Sequence, residues 1–131
     1  MKYFTIKELC KSSTAIEKKI DNTPNPEIVN NLENLVEHIL DPLRERYGKP
    51  IHVNGAYRCP ALNKAVGGSK TSQHMLGLAA DITVGSVAKN KILFNLVQEL
   101  NLPFDQLIDE KNFRWVHVSY SDKPRKQILH L

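Results

Sequence analysis

At 131 residues, with 41% apolar and 24% charged side chains, the chain has the size and balance of a globular domain, which excludes a disordered or fibrous protein and predicts one compact core. Lys and Arg exceed Asp and Glu by 18 to 14 and the isoelectric point is about 9.1, yet no block of five or more basic residues occurs, so no nucleic-acid-binding patch is expected. The opening MKYFTIKELCKSST lacks the apolar run of a secretory signal and no stretch nears the ~20 apolar residues of a membrane span, so the chain is expected to be cytoplasmic as synthesised and to stay off the membrane.

Residues 1–24 read as a leading segment with one short helix near residues 6–10, where Thr5 can cap the first turn. The breaker run Asp21, Asn22, Thr23, Pro24 ends it. Asn25 followed by Pro26 is an N-cap with proline at the first helical position, which predicts a helix start. Ile28, Leu32, Leu35, Val36, Ile39, Leu40 and Leu43 recur at three- and four-residue spacing and carry that helix to about Tyr47, with a kink expected at Pro42 and a stop at Gly48 and Pro50. Residues 51–57 and 79–84 read as strands, and the long stretch between them as a glycine-containing loop. A Ser86 cap and the stripe Ile92, Leu93, Leu96, Val97, Leu100 predict a second helix. Residues 104–110 and 114–120, joined by Lys111, Asn112 and Phe113, read as a hairpin with one covered face. Helices packed on one face of a small, mostly antiparallel sheet follow, an α+β fold in a single domain. Cys10 and Cys59 show no Cys-x-x-Cys spacing and are expected to be free thiols.

The chemistry concentrates in Ser72-Gln-His-Met-Leu-Gly-Leu-Ala-Ala-Asp81. His74 and Asp81 do not fall on one helical face. A loop turning at Gly77 and entering a strand would bring them to one point. His117, in the strand Trp115-Val-His-Val, is the natural third member, because Val116 and Val118 should point into the core and His117 away from it. Two imidazoles and a carboxylate are a catalytic zinc donor set with one position left for water. Taken singly, each residue is more often structural: an exposed loop histidine, a turn-forming aspartate and a satisfied sheet histidine.

The runs NGAYRCPALNKAVGGSKTSQHMLGLAADI and FDQLIDEKNFRWVHVSY resemble the zinc-dependent D-alanyl-D-alanine carboxypeptidase family of hedgehog/DD-peptidase fold, particularly its small bacterial and phage members. The resemblance covers about residues 25–120. Its Ser-x-His-x-x-Gly-x-Ala-x-Asp element, from Ser72 to Asp81, is specific; the Trp-Val-His-Val element is short but in the right order. The resemblance implies one catalytic Zn2+ on His74, Asp81 and His117, and hydrolysis of amide bonds in a peptidoglycan stem or cross-bridge peptide; the chain is expected to be a monomer and, lacking a secretory run, to need delivery to the wall by another system.

Many members of that family place a proton-carrying glutamate three residues before the last histidine, where this chain has Arg114. The small members resemble Gln106-Leu-Ile-Asp-Glu110 instead, which makes Glu110 the expected base. Hairpin register decides between neighbours: if Asp109 pairs with Arg114, Glu110 shares the face of His117, and if Glu110 pairs with Arg114, Asp109 does. The polar Gln106 suits a site face better than Leu107, which favours Glu110 over Asp109. Arg58, like the family's equivalent arginine, would hold a substrate carboxylate. Ser72, Gln73 and Tyr57 are candidates for hydrogen bonds to the peptide. His38 and His130 read as solvated, His52 as a packing or supporting residue, Trp115 as a packing anchor or a wall of the site, and Gly67-Gly68 as a turn with no P-loop lysine after it. The alternative function is a non-catalytic zinc-containing module of the same fold that binds wall or ligand. The presence of a carboxylate beside the metal group discriminates the two.

Overall fold

A computed structural model describes residues 1–131. Two short helices open the chain, α1 (Ile6–Cys10) and α2 (Ser13–Glu17), each capped by a hydroxyl: Thr5 Oγ1 accepts from the Glu8 amide and Ser12 Oγ from the Ala15 amide. The sequence predicts α1 but not α2, which buries only Ala15 and so has no apolar stripe to read. Phe4 and Leu9 lie in the main core, and the Tyr57 amide donates to the Leu9 carbonyl, so the leading segment is built into the fold.

The long predicted helix is α3 (Pro26–Leu35), a π turn (Val36–Leu40) and α4 (Asp41–Tyr47), running from the Asn25 cap to Gly48 at φ +79°. Pro42 has no amide hydrogen and its ring would strike the preceding turn. The π turn widens the helix just before it, with the Asp41 amide bonding back to the Val36 carbonyl. The irregularity expected at Pro42 therefore takes this form.

Five strands form one sheet in the order β1-β2-β4-β3-β5: β1 (His52–Gly55), β2 (Ala79–Thr83), β3 (Phe104–Glu110), β4 (Trp115–Tyr120) and β5 (Gln127–His130). All neighbours are antiparallel except β3 and β5. The α+β architecture expected from the sequence is the observed one, enlarged by β5 and by a helix, α5 (Pro60–Ala65), inside the predicted loop. Helix α6 (Val87–Glu99) starts at Ser86 as expected, with Ser86 Oγ accepting from the Lys89 amide. No helix is long and apolar enough to cross a membrane.

Strand alternation divides the sheet by chemistry. Val53, Ala80, Ile82, Leu107, Val116 and Val118 face the helices and join Leu32, Leu35, Ile39, Leu93 and Val97 in a cluster of 24 buried residues. Asp81, Gln106, Ile108, Glu110, Trp115 and His117 take the opposite face and line a cleft of about 640 Å³. The β3–β4 turn fixes which residues oppose one another. Lys111, Asn112 and Phe113 all have positive φ, and buried Asn90 of α6 donates to the Phe113 and Arg114 carbonyls. Glu110 consequently closes the ladder against Trp115.

Gly77 carries the turn between the His74 loop and β2. It has φ +73°, and a Cβ there would lie 3.0 Å from Ile28 Cγ2, 3.0 Å from the Ile28 carbonyl oxygen and 3.2 Å from Leu32 Cγ. Left-handed backbone and overpacking against α3 add, so Gly77→Ala should cost about 2–4 kcal/mol of stability. Urea unfolding checks this; a change under about 0.5 kcal/mol would mean that α3 yields to the methyl group.

Candidate metal centre

Three separate elements carry the residues singled out at the centre. His74 sits in a 3-10 turn, Gln73–Leu76, whose N-cap is Ser72: its Oγ accepts from the His74 amide. The ring is buried, with 4% of the side chain exposed. Its Nδ1 lies 2.6 Å from the Ala56 carbonyl, and a carbonyl only accepts, so Nδ1 carries the hydrogen. In return the His74 carbonyl accepts from the Arg58 amide at 3.1 Å. The segment following β1 thus fixes both the orientation and the tautomer of the ring.

Asp81 of β2 stands directly across the ladder from His117 of β4, so their side chains rise from neighbouring points on the same face. Asp81 Oδ1 is 3.0 Å from His117 Nδ1 and Oδ2 is 3.3 Å from His74 Nε2. The two imidazoles meet edge to face with centroids 5.0 Å apart. Candidate ligand atoms from the three residues all lie within 4.8 Å of one another.

This donor set suits a metal cation for a reason visible in its hydrogen bonds. With Nδ1–H of His74 committed to Ala56, a neutral ring presents its Nε2 lone pair to the Asp81 carboxylate. Two acceptors face each other, and only a cation between them, a proton or a metal ion, relieves the repulsion. Burial works against ionisation of Asp81, but the hydrogen bond with His117 and the nearness of the His74 ring outweigh it and hold the carboxyl well below the usual carboxylate range. The cluster therefore keeps an anion at neutral pH with two nitrogen donors around it.

Glu110 lies in the same cleft, two residues along β3 from Ile108, which is the cross-strand partner of His117. Neither register considered from the sequence is realised: Glu110 pairs with Trp115 and Asp109 with Val116, one residue further on. That register keeps Glu110 on the His117 face. Asp109 points to the helix side, only 5% exposed, and its carboxylate bonds the His130 ring.

The other predicted residues divide. Arg58 lines the cleft, with Ser72 Oγ as its side-chain partner at 3.2 Å; burial lowers its basicity, opposed by Asp81. Its Nε is buried without a partner. Ser72 and Gln73 also line the cleft, as does Trp115, which is its wall. Tyr57 does not belong to the cleft. The strand stops at Gly55, so alternation no longer governs its direction, and the side chain packs into the core with 8% exposure. His52 is exposed on β1, not packed, while His38 is exposed as expected and stacks on Tyr120 at 4.8 Å. Both cysteines are free, and burial pushes the Cys10 thiol up to about 11.

One cleft residue, Arg125, and the buried carboxylate behind it escaped sequence reasoning. Asp105 is 4% exposed and receives hydrogen bonds from the amide, Nε and Nη2 of Arg125 and from Gln73 Nε2. Those from Arg125 hold its pKa down to about 2. A one-residue register shift between Phe104 and Leu107 breaks the alternation there, so the sequence pattern has no means of turning Asp105 toward the cleft.

Comparison with known proteins places these features in context. The family model for Peptidase M15 matches residues 2–119, which includes the leading segment as well as the three clustered residues. Over 48 residues the chain is 48% identical to the zinc D-Ala-D-Ala carboxypeptidase of Streptomyces albus G. That alignment covers 36% of this chain and 19% of the relative, so the chain spans about a fifth of the curated protein it matches.

Proposed function

The chain belongs to the peptidase M15 family, and from that premise we propose that it is a zinc-dependent hydrolase of amide bonds in peptidoglycan peptides, with His74, Asp81 and His117 as the zinc ligands. The observation that carries this reading is the convergence of two imidazoles and one carboxylate within 4.8 Å on the floor of a cleft that also holds Glu110. The relative from Streptomyces albus G is named for zinc and for D-Ala-D-Ala, which supports both the metal and the substrate class. A zinc ion there supplies Lewis acidity, polarising the scissile carbonyl and lowering the pKa of water toward ~7.

The chain's own residues do the rest. His74 Nε2, Asp81 and His117 Nδ1 are the atoms that face the ion, and the Ala56 carbonyl fixes which nitrogen of His74 is free for it. Glu110 takes the proton from the attacking water and returns it to the leaving amine. Arg58 binds the substrate's carboxylate; it has no carboxylate partner of its own within salt-bridge distance, and an incoming anion would satisfy a desolvated guanidinium. That arrangement favours a substrate ending in a free carboxylate, hence removal of a terminal D-alanine. A carboxylate in the cleft also supports an enzyme over a binding module of the same fold.

Metal analysis combined with mass spectrometry of digested peptidoglycan tests this. The expected result is one zinc per chain, loss of a terminal alanine from stem peptides, and arrest by a chelator reversed by added zinc. Hydrolysis indifferent to chelation would overturn it.

A further inference from the structure

Arg125 lies beyond the span matched by the family model, residues 2–119, yet it lines the same cleft as Glu110 and His117. Its guanidinium is fixed: Nε meets Asp105 Oδ1 at 3.0 Å and Oδ2 at 3.2 Å, and Nη2 meets Oδ2 at 2.7 Å. Asp105 is itself held by the Arg125 amide and by Gln73 Nε2. Gln73 adjoins His74 in sequence, so the arginine is tied to the loop that carries the centre. Nη1 makes no hydrogen bond within the protein, and 59% of the side chain is exposed. An arginine held on one edge by a buried carboxylate presents its other edge as a ready-made donor pair.

The sheet order puts this donor where it matters. Arg58 follows β1, Asp105 belongs to β3 and Arg125 precedes β5, while Asp81 and His117 occupy the neighbouring strands β2 and β4. Both guanidiniums line the cleft that holds the metal cluster, Arg58 through its bond to Ser72 and Arg125 through Asp105 and Gln73. A peptide with its reacting amide over the cluster shares the cleft with two guanidiniums.

Resting on the peptidase reading above, we infer that Arg125 is a specificity-determining residue that selects peptides with a second free carboxylate, separate from the one bound at Arg58. The free edge of the guanidinium offers only N–H donors. A carboxylate answers it with two acceptors and a charge, whereas a carboxamide of the same shape sets one N–H against it and brings no charge. Amidation of that carboxyl would thus be the chemical change to which the cleft is most sensitive.

The test uses two synthetic stem peptides, L-Ala-γ-D-Glu-L-Lys-D-Ala-D-Ala, with the glutamate α-carboxyl free in one and a carboxamide in the other. Each is titrated calorimetrically into the zinc-loaded full chain carrying Glu110→Gln, so that affinity is read without turnover. The free acid should bind at least about ten-fold more tightly than the amide. Adding Arg125→Gln should abolish that preference and leave affinity for the amide unchanged, and Arg125→Lys should retain part of it. Equal affinity for the two peptides before any change at Arg125, or an equal loss for both in Arg125→Gln, would overturn the inference while leaving the peptidase reading intact. Failure of either peptide to bind at millimolar concentration would instead remove the peptidoglycan substrate class, and this subsite with it.

Discussion

Glu110→Gln is expected to lower kcat by about three orders of magnitude with zinc content unchanged, because general-base catalysis by a positioned carboxylate contributes roughly 10²–10⁴-fold. The glutamine keeps the shape of the side chain and its place in the β3–β4 ladder but has no site for the water's proton. Position supports the role. Glu110 lies two residues beyond Ile108 on the cleft face, about 7 Å along the strand, and Ile108 stands across from His117. That separation leaves room for a water between carboxylate and cluster. Asp109→Asn is the matched control. Its carboxylate is buried on the other face against His130, so turnover should stay within a few-fold of normal. Steady-state kinetics with zinc quantified in the same samples decide the matter; a Glu110→Gln protein that turns over normally moves the base elsewhere.

The choice between Glu110 and Asp109 shows how far the sequence could be read. Alternation identifies two faces, and the pattern of Val116 and Val118 about His117 predicts correctly which face of β4 is buried. Register is another matter, because it depends on the turn. Three consecutive residues with positive φ, none of them glycine, make that turn, and Asn90 from a helix over twenty residues earlier in the chain clamps it. No local signal encodes such a contact. The same holds for Tyr57, whose direction is lost when β1 ends at Gly55, and for Asp105, which a bulge turns toward the cleft. Helix α5 is short and β5 pairs only at an edge, so neither has the periodicity that made the α3–α4 helix and α6 legible. What the sequence does yield is the cluster itself. A glycine that alone tolerates φ +73° against α3, followed by two buried alanines, is the local chemistry that lets His74 and Asp81 approach.

Asp81→Asn tests the centre with the least disturbance of shape. Asn fills the same volume between His74 and His117 but removes the charge that balances a divalent cation, leaving two neutral nitrogen donors and an amide. Zinc should fall from one per chain to near none at micromolar free metal, and turnover should become undetectable. A second readout is independent of activity. A ligand that binds only the folded chain stabilises it by about 4 kcal/mol at a thousand times its Kd, which for a chain of this size raises Tm by on the order of 10 °C. The parent protein should therefore melt far lower in chelator than in zinc, while Asp81→Asn should melt at one temperature in both. Should Asp81→Asn keep a chelator-sensitive Tm together with measurable hydrolysis, the ion would be held by residues other than His74, Asp81 and His117.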